Sequence, residues 1–206
     1  MQSSSRDRCG LVLLALCLAL VSCAFPAGAL QADYWVAENA STYHAVFMLE
    51  NVTTYAWWDL GLLGERIPLL VGNITLLNRD GSCRPCPYNR TNVNEITFEK
   101  GDYFLSFDGE IHNNQLLAEF ETSSAVSVHL PEGLDIRNPL LGAISAGGSV
   151  SEEGTGVVIR WNATQAIDCR FYDPFREILL TSFLTFWGVI AVILLFPFLM
   201  MSRKKE

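Results

Sequence analysis

Asn94-Glu95-Ile96-Thr97-Phe98-Glu99-Lys100-Gly101-Asp102-Tyr103-Phe104-Leu105-Ser106-Phe107-Asp108-Gly109-Glu110-Ile111 is the stretch that decides the fold class. Ile96 and Phe98 fall on one side of an extended chain, with Glu95, Thr97 and Glu99 on the other. Tyr103, Leu105 and Phe107 repeat that alternation. A period of two is the spacing of a half-buried strand, whose successive side chains face opposite ways. Gly101-Asp102 reads as a turn and Asp108-Gly109 as a hairpin signal, since both pairs tolerate positive φ. Asn113-Asn114 reads as a further turn.

The same alternation extends to both sides. Thr42 to Leu49 is β-rich, Leu116-Ala118-Phe120 alternates with Leu117-Glu119-Glu121, and Val126-Val128-Leu130 with Ala125-Ser127-His129. Pro131-Glu132-Gly133 closes that run. Val157 to Trp161 and Ala166 to Tyr172 supply two more strands. Residues 138–154, rich in Gly and Ser, read as a loop with at most one short strand. Turns every 8–12 residues and no alternation of strands with helices predict a mainly β, antiparallel β-sandwich. A nucleotide-binding sheet is excluded on the same ground. No linker divides the domain.

Both ends are hydrophobic. Residues 1–29 have the shape of a signal peptide: Arg6 and Arg8, then an apolar run from Leu11 to Val21, then small residues. Cleavage has two readings. Ala27-Gly28-Ala29 fits a small-x-small site before Leu30, and Leu20-Val21-Ser22-Cys23 fits a lipoprotein box with lipidation on Cys23. Ile178 to Met201 holds 24 residues without a charge, where a span needs about 20. Arg203, Lys204 and Lys205 follow it. The basic excess places the C-terminus in the cytoplasm. The expected division is a signal segment 1–29, an extracytoplasmic domain 30–177, a transmembrane helix 178–201 and a basic tail 202–206, in the cell membrane. The tail also loosely resembles a dibasic retrieval signal, which gives a eukaryotic endoplasmic-reticulum type I protein as a further alternative.

Residues 24–177 carry 20 Asp+Glu and 9 Lys+Arg, a net charge of −11. Nucleic acid needs a basic footprint and is excluded as a partner. The expected partners are the membrane and other envelope proteins or glycans. Five sequons, at Asn39, Asn51, Asn73, Asn89 and Asn162, predict N-glycosylation of an exposed surface.

Cys83-Arg84-Pro85-Cys86-Pro87 is the most specific local motif. Asp80-Gly81-Ser82 before it and Pro87 after it make it a loop rather than the helix start that a redox thiol needs. A structural disulfide involving Cys83 or Cys86 is expected, with Cys169 as the alternative partner in an oxidising compartment. The rival is a redox or metal-binding module built on Cys83, Cys86 and Cys169. A structural zinc ion needs about four ligands. The histidines His44, His112 and His129 lie on separate strands and read as isolated. No nucleophile elbow or phosphate loop occurs, and no cofactor is implied. On a strand, Trp57 and Trp58 face opposite sides. One is expected in the core; the other is either covered by the connection from Gly61 to Gly72 or free to stack on a sugar or partner.

Taken together, the lipobox-like signal, Trp57-Trp58-Asp59, the Cys83/Cys86 loop, Leu130-Pro131-Glu132-Gly133 and Arg170-Phe171-Tyr172-Asp173 beside a terminal span resemble an uncharacterised archaeal family. Its members are membrane-anchored envelope proteins of methanogens and halophiles, often labelled membrane lipoproteins. The resemblance implies a surface-tethered β domain of unknown function and supplies no catalytic residue. The leading expectation is therefore a non-enzymatic, membrane-anchored envelope protein with a binding or structural domain.

Overall fold

The computed structural model describes residues 30–61 and 64–202. Residues 1–29, the expected signal segment with Cys23, and residues 203–206 of the expected tail lie outside the described residues. Among the described residues, eleven strands are followed by one helix: β1 (Leu30–Val36), β2 (Thr42–Ala56), β3 (Trp58–Leu60), β4 (Arg66–Pro68), β5 (Gly72–Asn78), β6 (Asn89–Asn92), β7 (Glu95–Glu110), β8 (Gln115–Leu130), β9 (Ala143–Ile144), β10 (Ser149–Glu153), β11 (Gly156–Arg170) and α1 (Pro174–Ser202).

Nine strands form one sheet in the order β10-β11-β8-β1-β2-β7-β5, with β6 on β7 and β9 on β11; β3 and β4 form a separate hairpin. The sheet is mixed, because β1 runs parallel to β8 while pairing antiparallel with β2. This corrects the purely antiparallel expectation. Sequence alternation gives each strand its faces but not the direction of its neighbour.

The long strands bend in the middle. The β2–β7 ladder slips between Leu49 and Thr54, where Asn51 has φ of 56°. The β8–β11 ladder slips between Trp161 and Ala166. An extra residue on one strand of a pair kinks it and increases its twist. The aromatic core is assembled across these ladders. Phe47 of β2 packs on Phe107 of β7 (ring centroids 5.1 Å apart) and reaches Phe120 of β8 (6.1 Å). Tyr34, Leu105, Val128, Ile159 and Trp161 are buried beside them.

Several turn signals proved to be strand. Gly101-Asp102 and Asp108-Gly109 both lie inside β7. Gly109 is required there by packing: a Cβ would stand 2.3 Å from the hydroxyl end of the buried Tyr43 ring. Asn113-Asn114 is the true β7–β8 turn, with φ of 57° and 55°. Likewise, the two runs in residues 116–130 are one strand, β8, and the two that begin at Val157 and Ala166 are one, β11, which ends at Arg170. The segment expected to be a loop holds two short strands, β9 and β10.

The helix begins at Pro174, earlier than the expected 178. Arg176 N donates to Asp173 Oδ1 at 2.9 Å. An N-cap aspartate followed by proline is a favoured helix start, because the side chain satisfies a free amide and proline has none to lose. Residues Pro174–Phe196 are long and apolar enough to cross a membrane. Phe183, Phe186, Val192 and Leu194 are all exposed.

Candidate functional site

Among the described residues the site is built on the outer face of the sheet, from one register row that crosses four strands. His129 of β8 is paired with Trp35 of β1, Trp35 with His44 of β2, and His44 with Asp108 of β7. The inward neighbours Tyr34, Tyr43, Phe107 and Leu130 are buried, so alternation turns all four outward. Trp35 is 41% exposed. Its ring lies parallel to His129 at 5.2 Å (8° between planes), and His44 stands 6.2 Å away on the other side.

His44 Nδ1–H donates to Asp108 Oδ1 at 2.7 Å, and Asn73 Nδ2–H donates to Asp108 Oδ2 at 2.7 Å. Asn73 comes from β5, the next strand in the row. The amide of Asn73 and then the imidazole of His44 hold the Asp108 carboxyl below the usual range. In the neutral imidazole with Nδ1–H engaged, His44 Nε2 is an acceptor. Beside this chain lies an open groove of about 630 Å³, walled by Trp35, Tyr43, His44, Leu70, Asn73 and Asp108. Ligand sites run to about 300–1,000 Å³ and combine apolar walls with a few convergent polar groups.

None of these residues was singled out as a binding candidate in the sequence. His44 and His129, read as isolated, are brought to either side of one tryptophan, while His112 lies apart in the β7–β8 turn region. The strand alternation could have shown that they face outward, but not that they share a row.

The expected binding pair sits elsewhere. Trp57 is buried against Tyr55 and Phe107. Its carbonyl accepts from the buried Asn94 Nδ2 at 3.0 Å. Trp58 is half-buried, and each indole N–H lacks a partner.

Cys83 and Cys86 are joined in a disulfide, with Cα atoms 4.9 Å apart. Their loop folds back along the outer edge of β5: Cys86 N donates to Leu76 O at 2.7 Å, and Cys83 O accepts from Asn78 N at 3.3 Å. The bridge thereby caps a sheet edge that would otherwise present unpaired backbone groups. Cys169 is a free, fully buried thiol on β11, paired with Leu116 and Ile144. Burial first, and Asp168 second, push it up to about 12. The three cysteines are therefore not brought together. Among the described residues no group of three or more His, Cys, Asp or Glu side chains could hold a metal ion.

All five sequon asparagines are exposed. Asn39 lies in the β1–β2 connection, Asn51 and Asn162 at the two mid-strand slips, Asn73 at the start of β5 and Asn89 on β6.

Fold and site together define a mainly β domain with an outward aromatic–imidazole–carboxylate row, carried on one long apolar helix. The chain belongs to a family of unknown function (DUF5803), which matches residues 31–204. That agrees with the resemblance to an uncharacterised family. No curated protein matches the chain.

Proposed function

We propose that this chain is an exported, single-pass envelope protein of the cell membrane, non-enzymatic, whose β domain serves in binding or structural interaction outside the cytoplasm. The observation that carries this reading is the junction of domain and helix. Only Phe171, Tyr172 and Asp173 separate β11 from α1, and Tyr172 is tied back to Asp135 by two backbone hydrogen bonds of 2.8 and 2.9 Å. A helix with exposed apolar side chains has no partner in the domain and needs lipid to cover it. The domain is therefore held against the membrane surface with little slack.

The finer features belong to the same reading. The mid-strand bends fold the sheet into a two-layered β-sandwich. Residues 1–29 direct export and are removed, with Cys23 as lipidation site in the lipoprotein version. Arg203, Lys204 and Lys205 keep the C-terminus inside. The exposed sequons carry glycans, and the acidic surface is solvated. Protease added to intact cells should digest the β domain and spare a tag placed after Glu206. Digestion of the tag with protection of the domain would reverse the orientation and defeat the reading.

A further inference from the structure

We propose that the groove beside Trp35 is the seat of the chain's own carbohydrate, the glycan carried on Asn73. The inference rests on the glycosylation reading above and adds a binding site to it. Asn73-Ile74-Thr75 is a sequon, and Asn73 lies at the groove itself, with φ of 50° and an exposed side chain. Its Nδ2 points at Asp108 Oδ2, 2.7 Å away. An N-linked asparagine keeps one amide hydrogen, so the bond to Asp108 can persist after modification. Asp108 is fixed in turn by His44. The first sugar is then aimed by a buttressed amide instead of swinging on a free side chain.

The walls suit a pyranose. Leu70 (64% exposed) and the outer rim of Trp35 supply apolar surface. His44 Nε2 and Asn73 Oδ1 supply acceptors for sugar hydroxyls. Trp35 is clamped between two imidazoles, so it loses little side-chain freedom on binding. The groove is open and its rings present edges rather than full faces, which makes it a weak site for a free sugar. A tethered sugar meets it at an effective concentration on the order of millimolar. This favours the attached glycan over one from outside. The other four asparagines lie outside the lining of this groove.

The test uses the full chain purified from its native membrane. Glycopeptide mass spectrometry gives occupancy at each sequon. Mild periodate, which cleaves exposed vicinal diols, then reports how accessible each glycan is. Asn73 should be occupied and the diol-bearing sugars of its glycan oxidised about tenfold more slowly than those on Asn39, with the difference abolished by denaturation. Trp35→Ala should raise the Asn73 rate to that of Asn39; the wild-type comparison stands even if that variant fails to fold. Supplied at a concentration on the order of millimolar, to match the tethered one, the oligosaccharide released from Asn73 should bind a Thr75→Ala chain, whose groove is empty, and not the wild type. Equal oxidation at occupied Asn73 and Asn39 overturns the docking and leaves glycosylation standing. Glycans at other sequons but none at Asn73 also overturn it, and no glycan anywhere removes the underlying reading as well. Equal binding of the free oligosaccharide to wild type and Thr75→Ala would assign the groove to an external glycan and overturn the proposal.

Discussion

Asp135 illustrates how a single carboxylate can order a loop. Its Oδ1 accepts from the backbone N–H of Ile136 (2.6 Å) and of Arg137 (3.0 Å), and its Oδ2 accepts from Arg137 Nη2 (2.6 Å). The Arg137 side chain first, and then these backbone donors, pull the carboxyl down to about 2. A folded-state value below the ordinary one, near 4, gives stability that is present above pH ~4 and is lost as pH falls toward 2. Denaturant midpoints measured across that window should drop for the wild type and change less for Asp135→Asn. A nearby glycine makes a second test. A Cβ on Gly142 would lie 2.3 Å from the carbonyl oxygen of Ile136, which is backbone and cannot rotate aside. Gly142→Ala should cost roughly 1–3 kcal/mol, read as a lower melting temperature. Cys169, by contrast, is inert for chemical reasons. Its thiol stays protonated and covered, so alkylation should label it only after denaturation.

At the scale of elements, the disulfide loop and the bent strands decide the shape of the sheet. The Cys83–Cys86 loop donates and accepts along β5, so the bridge acts on an edge strand. Closing a loop this short removes little chain entropy. Cys83→Ser with Cys86→Ser should therefore cost about 2 kcal/mol in the loop-entropy picture, measured by denaturant titration under matched conditions. Hydrogen exchange at Leu77 and Asn78 should rise more than at Leu105, which β2 protects on β7's far side. Fraying confined to the loop itself would show that the edge needs no cap. β7 also shows why element boundaries were hard to read. Gly101 and Gly109 look like turn residues, yet they sit in a continuous strand because the rings of Tyr103 and Tyr43 occupy the space their side chains would need. Asn113-Asn114 was legible because both residues do adopt positive φ in a true turn. The strands β1 and β5, which supply Trp35 and Asn73, are only seven residues long; Ala32, Tyr34 and Val36 do alternate with Gln31, Asp33 and Trp35, but over too short a run to stand out.

For the whole molecule, anchoring is the property with a direct assay. One spanning helix holds far more firmly than one acyl chain. A chain ending at Asp173 and carrying Cys23→Ala should appear in the high-speed supernatant of lysed cells, whereas Cys23→Ala alone should pellet with the membranes. Release by Cys23→Ala alone would mean that α1 is not the anchor. The sequence by itself determined the β class, the inward and outward faces of the strands it revealed, and the terminal apolar helix, though not its start at Pro174. Those properties follow from local rules: period two and an uncharged run. Only the tertiary structure decided the parallel β1–β8 pairing, the burial of Trp57, the isolation of Cys169 from the bridge and the row His129-Trp35-His44-Asp108. Trp35 and His129 become neighbours across 94 positions of chain and His44 and Asp108 across 64. Alternation states which way a side chain points, but the strand that lies beside it is chosen by burial of the whole core.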